Sequence, residues 1–201
     1  MHSALKSIEA EGKRETMDKK QAAMEATLEL IAEQGFHGTP MSQIAQRANI
    51  GVGTIYRYFS GKEELVNELY IFIKKRMADT ILRNYGKDKP VQESFKEVLK
   101  EIICYMAAHP TELSFHEQYS NSPLITQATK AQGVQIMEPI EDLFQRARSE
   151  NLMKELQDDI LFTMVAGAAF SLAKLYISAG IPIRDEVLAA ETDAIWDMIK
   201  K

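Results

Sequence analysis

Apolar residues recur at helical spacing along nearly the whole chain. No stretch alternates as a strand does, and no Asn-Gly or Asp-Gly hairpin signal occurs. From Glu15 to Gln34, the positions Ala23, Ala26, Thr27, Leu30 and Ile31 form one stripe, and Gly35 supplies the stop. Thr39 then reads as an N-cap with Pro40 as first helical residue. Met41, Ile44 and Ala45 give this short helix its buried side. After the turn "ANIG", a helix runs from Val52 to about Phe59. Ser60 and Glu63 predict a capping box for a longer helix, from Gly61 to about Asn84, striped by Leu65, Leu69, Phe72, Ile73 and Met77. "YGKDKP" breaks the pattern. Further helices are predicted over 91–108, 111–119, 123–150, 156–179 and 184–200, with Pro139 kinking or breaking the third of these. The fold class is therefore all-α: a small N-terminal unit over residues 1–60, and a larger helical body over 61–201. The long helix from Gly61 joins them, so motion in the body has a stiff route to the N-terminal unit.

Composition narrows the choice. The chain has 201 residues, 45% hydrophobic and 26% charged, enough for a substantial core without metal or disulfide. Its net charge is −5, so contact with nucleic acid must come from a local patch. Cys104 is the only cysteine, which excludes an intrachain disulfide and a multi-cysteine zinc site and fits a reducing cytoplasm. The polar start of the chain carries no signal-peptide pattern, and a disordered arm is expected up to about Lys13. Residues Ile160 to Ile181 are long and apolar enough to imitate a membrane span. Lys174 inside that stretch is costly in lipid, so a helix buried in the protein or at a subunit interface is expected.

One window is chemically distinct. From Gln34 to Lys62 there is no Asp or Glu, although the chain has 29 acids. Arg47, Arg57 and Lys62 give the window about +3. It is polar, so burial does not explain the missing acids, and a surface cleared of carboxylates suits a phosphate backbone. Two short helices around a tight turn are the geometry of a helix-turn-helix. In "GVGTIYRYF", Ile55 and Phe59 face inward. That leaves Val52, Gly53, Thr54, Tyr56, Arg57 and Tyr58 on or near the outer side. Gly53 permits close backbone approach, Val52 and the Thr54 methyl suit thymine methyls, and the tyrosine hydroxyls suit phosphates or base edges. Lys62 at the next helix start would hold a phosphate. Packing is an alternative use for Tyr56 and Tyr58, and a solvated position for Arg57.

With "AEQGF", Thr39, "IAQRANIGVGTIYRYF" and "KEEL", the stretch from about Met24 to Leu69 strongly resembles the tetracycline-repressor (TetR) family of bacterial transcriptional regulators. Gly51, where the family often has serine, and Ala23, where a larger aliphatic is common, depart from its pattern. The resemblance implies DNA contact through Thr39, Ser42, Val52, Gly53, Thr54, Tyr56, Arg57, Tyr58 and Lys62. It also implies a helical C-terminal domain that binds a small molecule and dimerises through its last two long helices. The stripes Phe162, Val165, Ala169, Leu172, Tyr176 and Leu188, Thr192, Ile195, Trp196, Ile199 fit such an interface, with packing inside one subunit as the alternative. Met106, Phe115, Tyr119, Met137, Phe144 and Met164 are candidate lining for a largely apolar effector pocket, with ordinary core as the alternative.

The expected function is a cytoplasmic, homodimeric, ligand-responsive repressor of palindromic operators. No metal and no cofactor is called for, and no membrane partner. No nucleophile–base pair or carboxylate pair supports an enzyme. A helical small-molecule carrier or enzyme retaining the N-terminal unit is the alternative from another class. An architectural DNA binder fits poorly with the acidic total charge.

Overall fold

A computed structural model of the chain describes the backbone of residues 2–83, 85, 86 and 88–201, and the side chains from residue 17 onward within that range. Its elements are α1 (His2–Gln34), α2 (Met41–Arg47), α3 (Val52–Tyr58), α4 (Lys62–Ile81), α5 (Val91–Ala108), α6 (Pro110–Tyr119), α7 (Gln127–Ile136), α8 (Glu138–Ser149), α9 (Asp158–Ala179) and α10 (Asp185–Ile199). Among the described residues the one β feature is an isolated bridge between Met153 and Lys200.

The punctuation works as its chemistry dictates. Gly35 is left-handed at φ 73°, and its N–H closes on the Ile31 carbonyl at 2.9 Å, ending α1. Asn49 is left-handed at φ 52°, and the Ile50 N–H reaches the Ala45 carbonyl at 2.9 Å. This six-to-one bond ends α2 and forms the tight turn before α3. Pro139 sits in the first turn of α8, so the predicted 123–150 helix is two helices divided at Met137.

Three local expectations differ from what is found. α1 extends back to His2 through residues expected to be a disordered arm. Ala, Leu, Lys, Glu and Arg dominate that stretch, and their helix propensity is high even without an apolar stripe. Thr39 does not cap α2. Pro40 holds the N-cap position at ψ 152°, while the Thr39 hydroxyl donates back to the Gly35 carbonyl at 2.8 Å. The cap of α4 uses Glu64 rather than Glu63: the Ser60 N–H and hydroxyl both donate to the Glu64 carboxylate, each at 2.6 Å. Those bonds hold the Glu64 carboxyl below its ordinary pKa, the hydroxyl contributing most.

The chain divides into two compact units, and each division falls inside a helix. The N-terminal unit comprises the residues up to Phe72 together with Ser114–Lys130; the second comprises Ile73–Leu113 and Ala131–Lys201. The expected division at residue 60 therefore moves into α4, and the end of α6 joins the N-terminal unit. In that unit α1 packs on α2 and α3, and α2 on α3. Ala23, Leu30, Ile31, Ile44, Ala45, Ile55, Phe59, Leu65 and Leu69 are buried there. In the second unit α5 packs against α8, α9 and α10. Phe95 lies at its centre, with ring centroids 5.2 Å from Phe144 and 5.1 Å from Trp196. Burying such side chains stabilises the unit by about 1.5–3 kcal/mol each. Glu112 is also buried here; it pairs with Arg76 and accepts the Tyr105 hydroxyl at 2.5 Å. An isolated buried carboxylate would be costly, and these two partners offset that.

Candidate nucleic-acid interface

The turn at Asn49 sets α3 with one narrow face inward. Ile55 and Phe59 are buried, four residues apart on that face, and Phe59 serves as the C-cap. The opposite face is open. Val52 is 47% exposed and Tyr56 53% exposed, far more than packing residues of their size. Gly53 and Arg57 are exposed, while Thr54 and Tyr58 are half-buried. A Cβ added at Gly53 would meet nothing within 4 Å, so nothing inside the protein requires glycine there. Tyr58 rests edge-on against Phe59 at 6.4 Å between centroids, so it divides its surface between packing and solvent. On α2, Ser42, Gln43 and Gln46 are exposed as well.

The basic window is less open than its composition implies. Arg47 is engaged by α1: its guanidinium bonds Glu29 at 3.1 Å and Glu33 twice at 2.9 Å. Those hydrogen bonds hold the Glu33 carboxyl below its ordinary pKa and keep Arg47 firmly protonated. The Lys62 ammonium donates to the Phe36 carbonyl at 2.7 Å and lies 4.2 Å from the centre of the Phe36 ring. Thr39 is fully buried, so its side chain presents nothing to an outside partner. Thus Ser42, Val52, Gly53, Tyr56 and Arg57 share an open surface, Thr54 and Tyr58 flank it, and Thr39 lies beneath it.

This arrangement matches known proteins. Residues 23–69 match the family model of bacterial regulatory proteins of the tetR family, and residues 90–200 match that of the tetracyclin repressor-like C-terminal domain. The chain belongs to the TetR family. An uncharacterized helix-turn-helix-type transcriptional regulator of Haemophilus influenzae is 29% identical over 177 residues, spanning 88% of this chain and 92% of that one. A TetR-family transcription regulator of Marinobacter aquaeolei superposes with a TM-score of 0.87 at 20% identity, over 94% of this chain and 99% of that one. The Bacillus subtilis regulator FadR, solved with stearoyl-CoA, has the same fold with a TM-score of 0.67 at 16% identity, over 89% of this chain and 96% of that one. This TetR-family chain is thus a helix-turn-helix transcriptional regulator, with α2 and α3 as its motif.

The regulatory part of this TetR-family chain departs from the sequence reading in two ways. Of the candidate pocket residues, Met106 and Phe144 are buried in the second unit and Met137 packs against its core. Met164 lies half-buried on α9. Phe115 and Tyr119 belong to the N-terminal unit, their rings tilted with centroids 5.2 Å apart. The candidate interface stripe is likewise largely internal. Val165, Ala169, Tyr176, Leu188, Ile195, Trp196 and Ile199 are buried within the subunit and Leu172 packs against its core. Burial and the Glu191 carboxylate, which accepts its hydroxyl, raise the Tyr176 pKa to about 12. Phe162 alone of the stripe is strongly exposed. The open side of α9 carries Ile160, Gly167 and Leu175 instead. α9 is long and apolar enough to cross a membrane, and only 28% of its apolar window is buried inside the chain.

The long-range contacts of two residues escaped the sequence reading. The Asn67 amide donates to the Leu124 carbonyl at 2.8 Å and its oxygen accepts the Thr126 N–H at 3.0 Å. The Tyr119 hydroxyl accepts the Phe36 N–H at 3.3 Å. All three bonds join positions more than fifty residues apart, and no local pattern announces them.

Proposed function

We propose that this chain is a ligand-responsive repressor that binds a palindromic operator as a homodimer, reading bases through the open face of α3. The observation that carries the reading is the exposure of Val52 and Tyr56 beside Gly53 on an acid-free face, while Ile55 and Phe59 anchor the same helix inward. A recognition helix enters the major groove in this manner, and two copies read half-sites about 34 Å apart or a multiple of that. Val52 and the Thr54 methyl contact thymine methyls. Tyr56, Arg57, Tyr58 and Ser42 bond base edges or phosphates.

Dimerisation uses the open side of α9. Its exposed Ile160 and Leu175 need a cover, and a second α9 related by two-fold symmetry supplies one. The effector is a small molecule with a large apolar part, held by the second unit. The match of residues 90–200 to the tetracyclin repressor-like C-terminal domain supports this reading, and FadR, of the same fold, was solved with stearoyl-CoA. The effector favours a spacing of the two α3 helices that no longer fits the operator, which requires different affinities for the two states. The protein acts in the cytoplasm, where its operator lies. The test is a mobility-shift titration on a palindrome near the protein's own gene. Tyr56→Ala and Arg57→Ala should each weaken binding tenfold or more, and unchanged affinity in both would refute the assigned face.

A further inference from the structure

Phe36 is the first residue beyond the left-handed Gly35, in the turn between α1 and α2. Both of its backbone polar groups are taken by side chains from distant helices of the same unit. Its N–H donates to the Tyr119 hydroxyl of α6 at 3.3 Å. Its carbonyl accepts the Lys62 ammonium of α4 at 2.7 Å. The Phe36 ring is buried beneath that ammonium, 4.2 Å from its centroid. Tyr119 is buried too, its ring tilted against that of Phe115 with centroids 5.2 Å apart. The Thr39 N–H shares the same carbonyl at 3.3 Å, so the two clamps reach the turn that leads into α2.

We propose that Lys62 and Tyr119 are positioning residues for DNA binding: they hold the Phe36 turn, and Lys62 acts by fixing that turn rather than by neutralising a phosphate. Three observations separate this from a phosphate contact. The ammonium already has a carbonyl acceptor and an aromatic face inside its own unit, so its place is set by the Phe36 turn. The first turn of α4 carries Glu63 and Glu64, both exposed, which repel a phosphate at the helix N-terminus. Tyr119 brings no charge, yet it grips the other polar group of the same residue. The elements held by this turn are α1, α2 and the start of α4, whose mutual placement sets how α3 is presented.

The inference rests on the DNA-binding reading, and salt titrations of the full-length chain on its selected operator test it. A phosphate contact contributes about 0.9 to the slope of log K against log salt. Lys62→Met should lower affinity about tenfold with the slope unchanged. Lys62→Arg should restore most of that affinity, because a guanidinium also donates to the carbonyl and stacks on the ring. Tyr119→Phe removes only the hydroxyl and should lower affinity several-fold, again at constant slope. The double variant should lose less than the two single losses combined, since both act through Phe36. Active fractions come from stoichiometric titration, so misfolded protein does not count as weak binding. A slope reduced by about 0.9 in Lys62→Met, or full affinity in Tyr119→Phe, overturns the inference. A wild-type chain that selects no operator overturns the DNA-binding reading instead.

Discussion

Arg47 and Glu33 meet in a forked contact, Nη1 to Oε1 and Nη2 to Oε2, both at 2.9 Å. Glu29, one turn earlier on α1, takes a further bond from Nη1 at 3.1 Å. The arginine that makes the helix-turn-helix window look basic is therefore occupied in neutralising two carboxylates beside it. A bidentate arginine bridging two acids is a geometry in which an exposed ion pair has structural effect. Its value to DNA binding is indirect: it masks negative charge and braces α2 on α1.

Arg47→Gln should accordingly weaken operator binding several-fold at low salt, by uncovering Glu29 and Glu33. Adding Glu29→Gln and Glu33→Gln to that variant should bring affinity back to within about twofold of wild type. Were Arg47 a phosphate contact, the triple variant would stay weak. The pH dependence has a fixed sign. The folded pKa of Glu33 is depressed by Arg47, so the pair's contribution is present above the ordinary carboxyl value of 4.5 and is lost as pH falls through the lower folded value. Denaturation midpoints of wild type and Arg47→Gln should converge on acidification below that range.

Gly53→Ala should have opposite effects on folding and on binding. The added methyl meets nothing, and alanine is the better helix former, so the free protein should gain up to about 1 kcal/mol. In the proposed docking the same methyl stands where the groove floor approaches, so operator affinity should fall about tenfold or more. Thermal melting and anisotropy titration read the two effects. A variant that is more stable and binds equally well would remove Gly53 from the interface.

The two sides of the α9–α10 pair should respond differently. Leu175 is 51% exposed on α9, and Leu175→Glu should convert dimers to monomers in sedimentation velocity. Ile195 lies in the subunit core, and Ile195→Ala should cost about 2–4 kcal/mol of stability while leaving the dimer assembled at high concentration. Dimers that survive Leu175→Glu unchanged would reject the open side of α9 as the interface.

The sequence carried the helices and the outward face of α3 because local chemistry decides both. Gly35 and Pro139 punctuate as their backbones require, and the spacing of Ile55 and Phe59 assigns the remaining positions of α3 to the outside. α9 was different. It is apolar on nearly every side, so periodicity cannot say which stripe faces its own subunit, and the stripe from Val165 to Tyr176 proved internal. Arg47 looked free because its partners lie 14 and 18 residues earlier, on another helix. Thr39 satisfied the N-cap rule yet bonds back to Gly35. The Tyr119 and Asn67 contacts are long-range, and only the folded chain reveals them.

Selection of duplex DNA from a random pool by the wild-type protein tests the central claim most directly. The account predicts enrichment of an inverted repeat, with half-site centres separated by a multiple of about 10–10.5 base pairs. The enriched duplex should bind at least about 10³-fold more tightly than random DNA at the same salt. A pool that stays random through successive rounds, or an enriched duplex bound no better than its scrambled control, would contradict it.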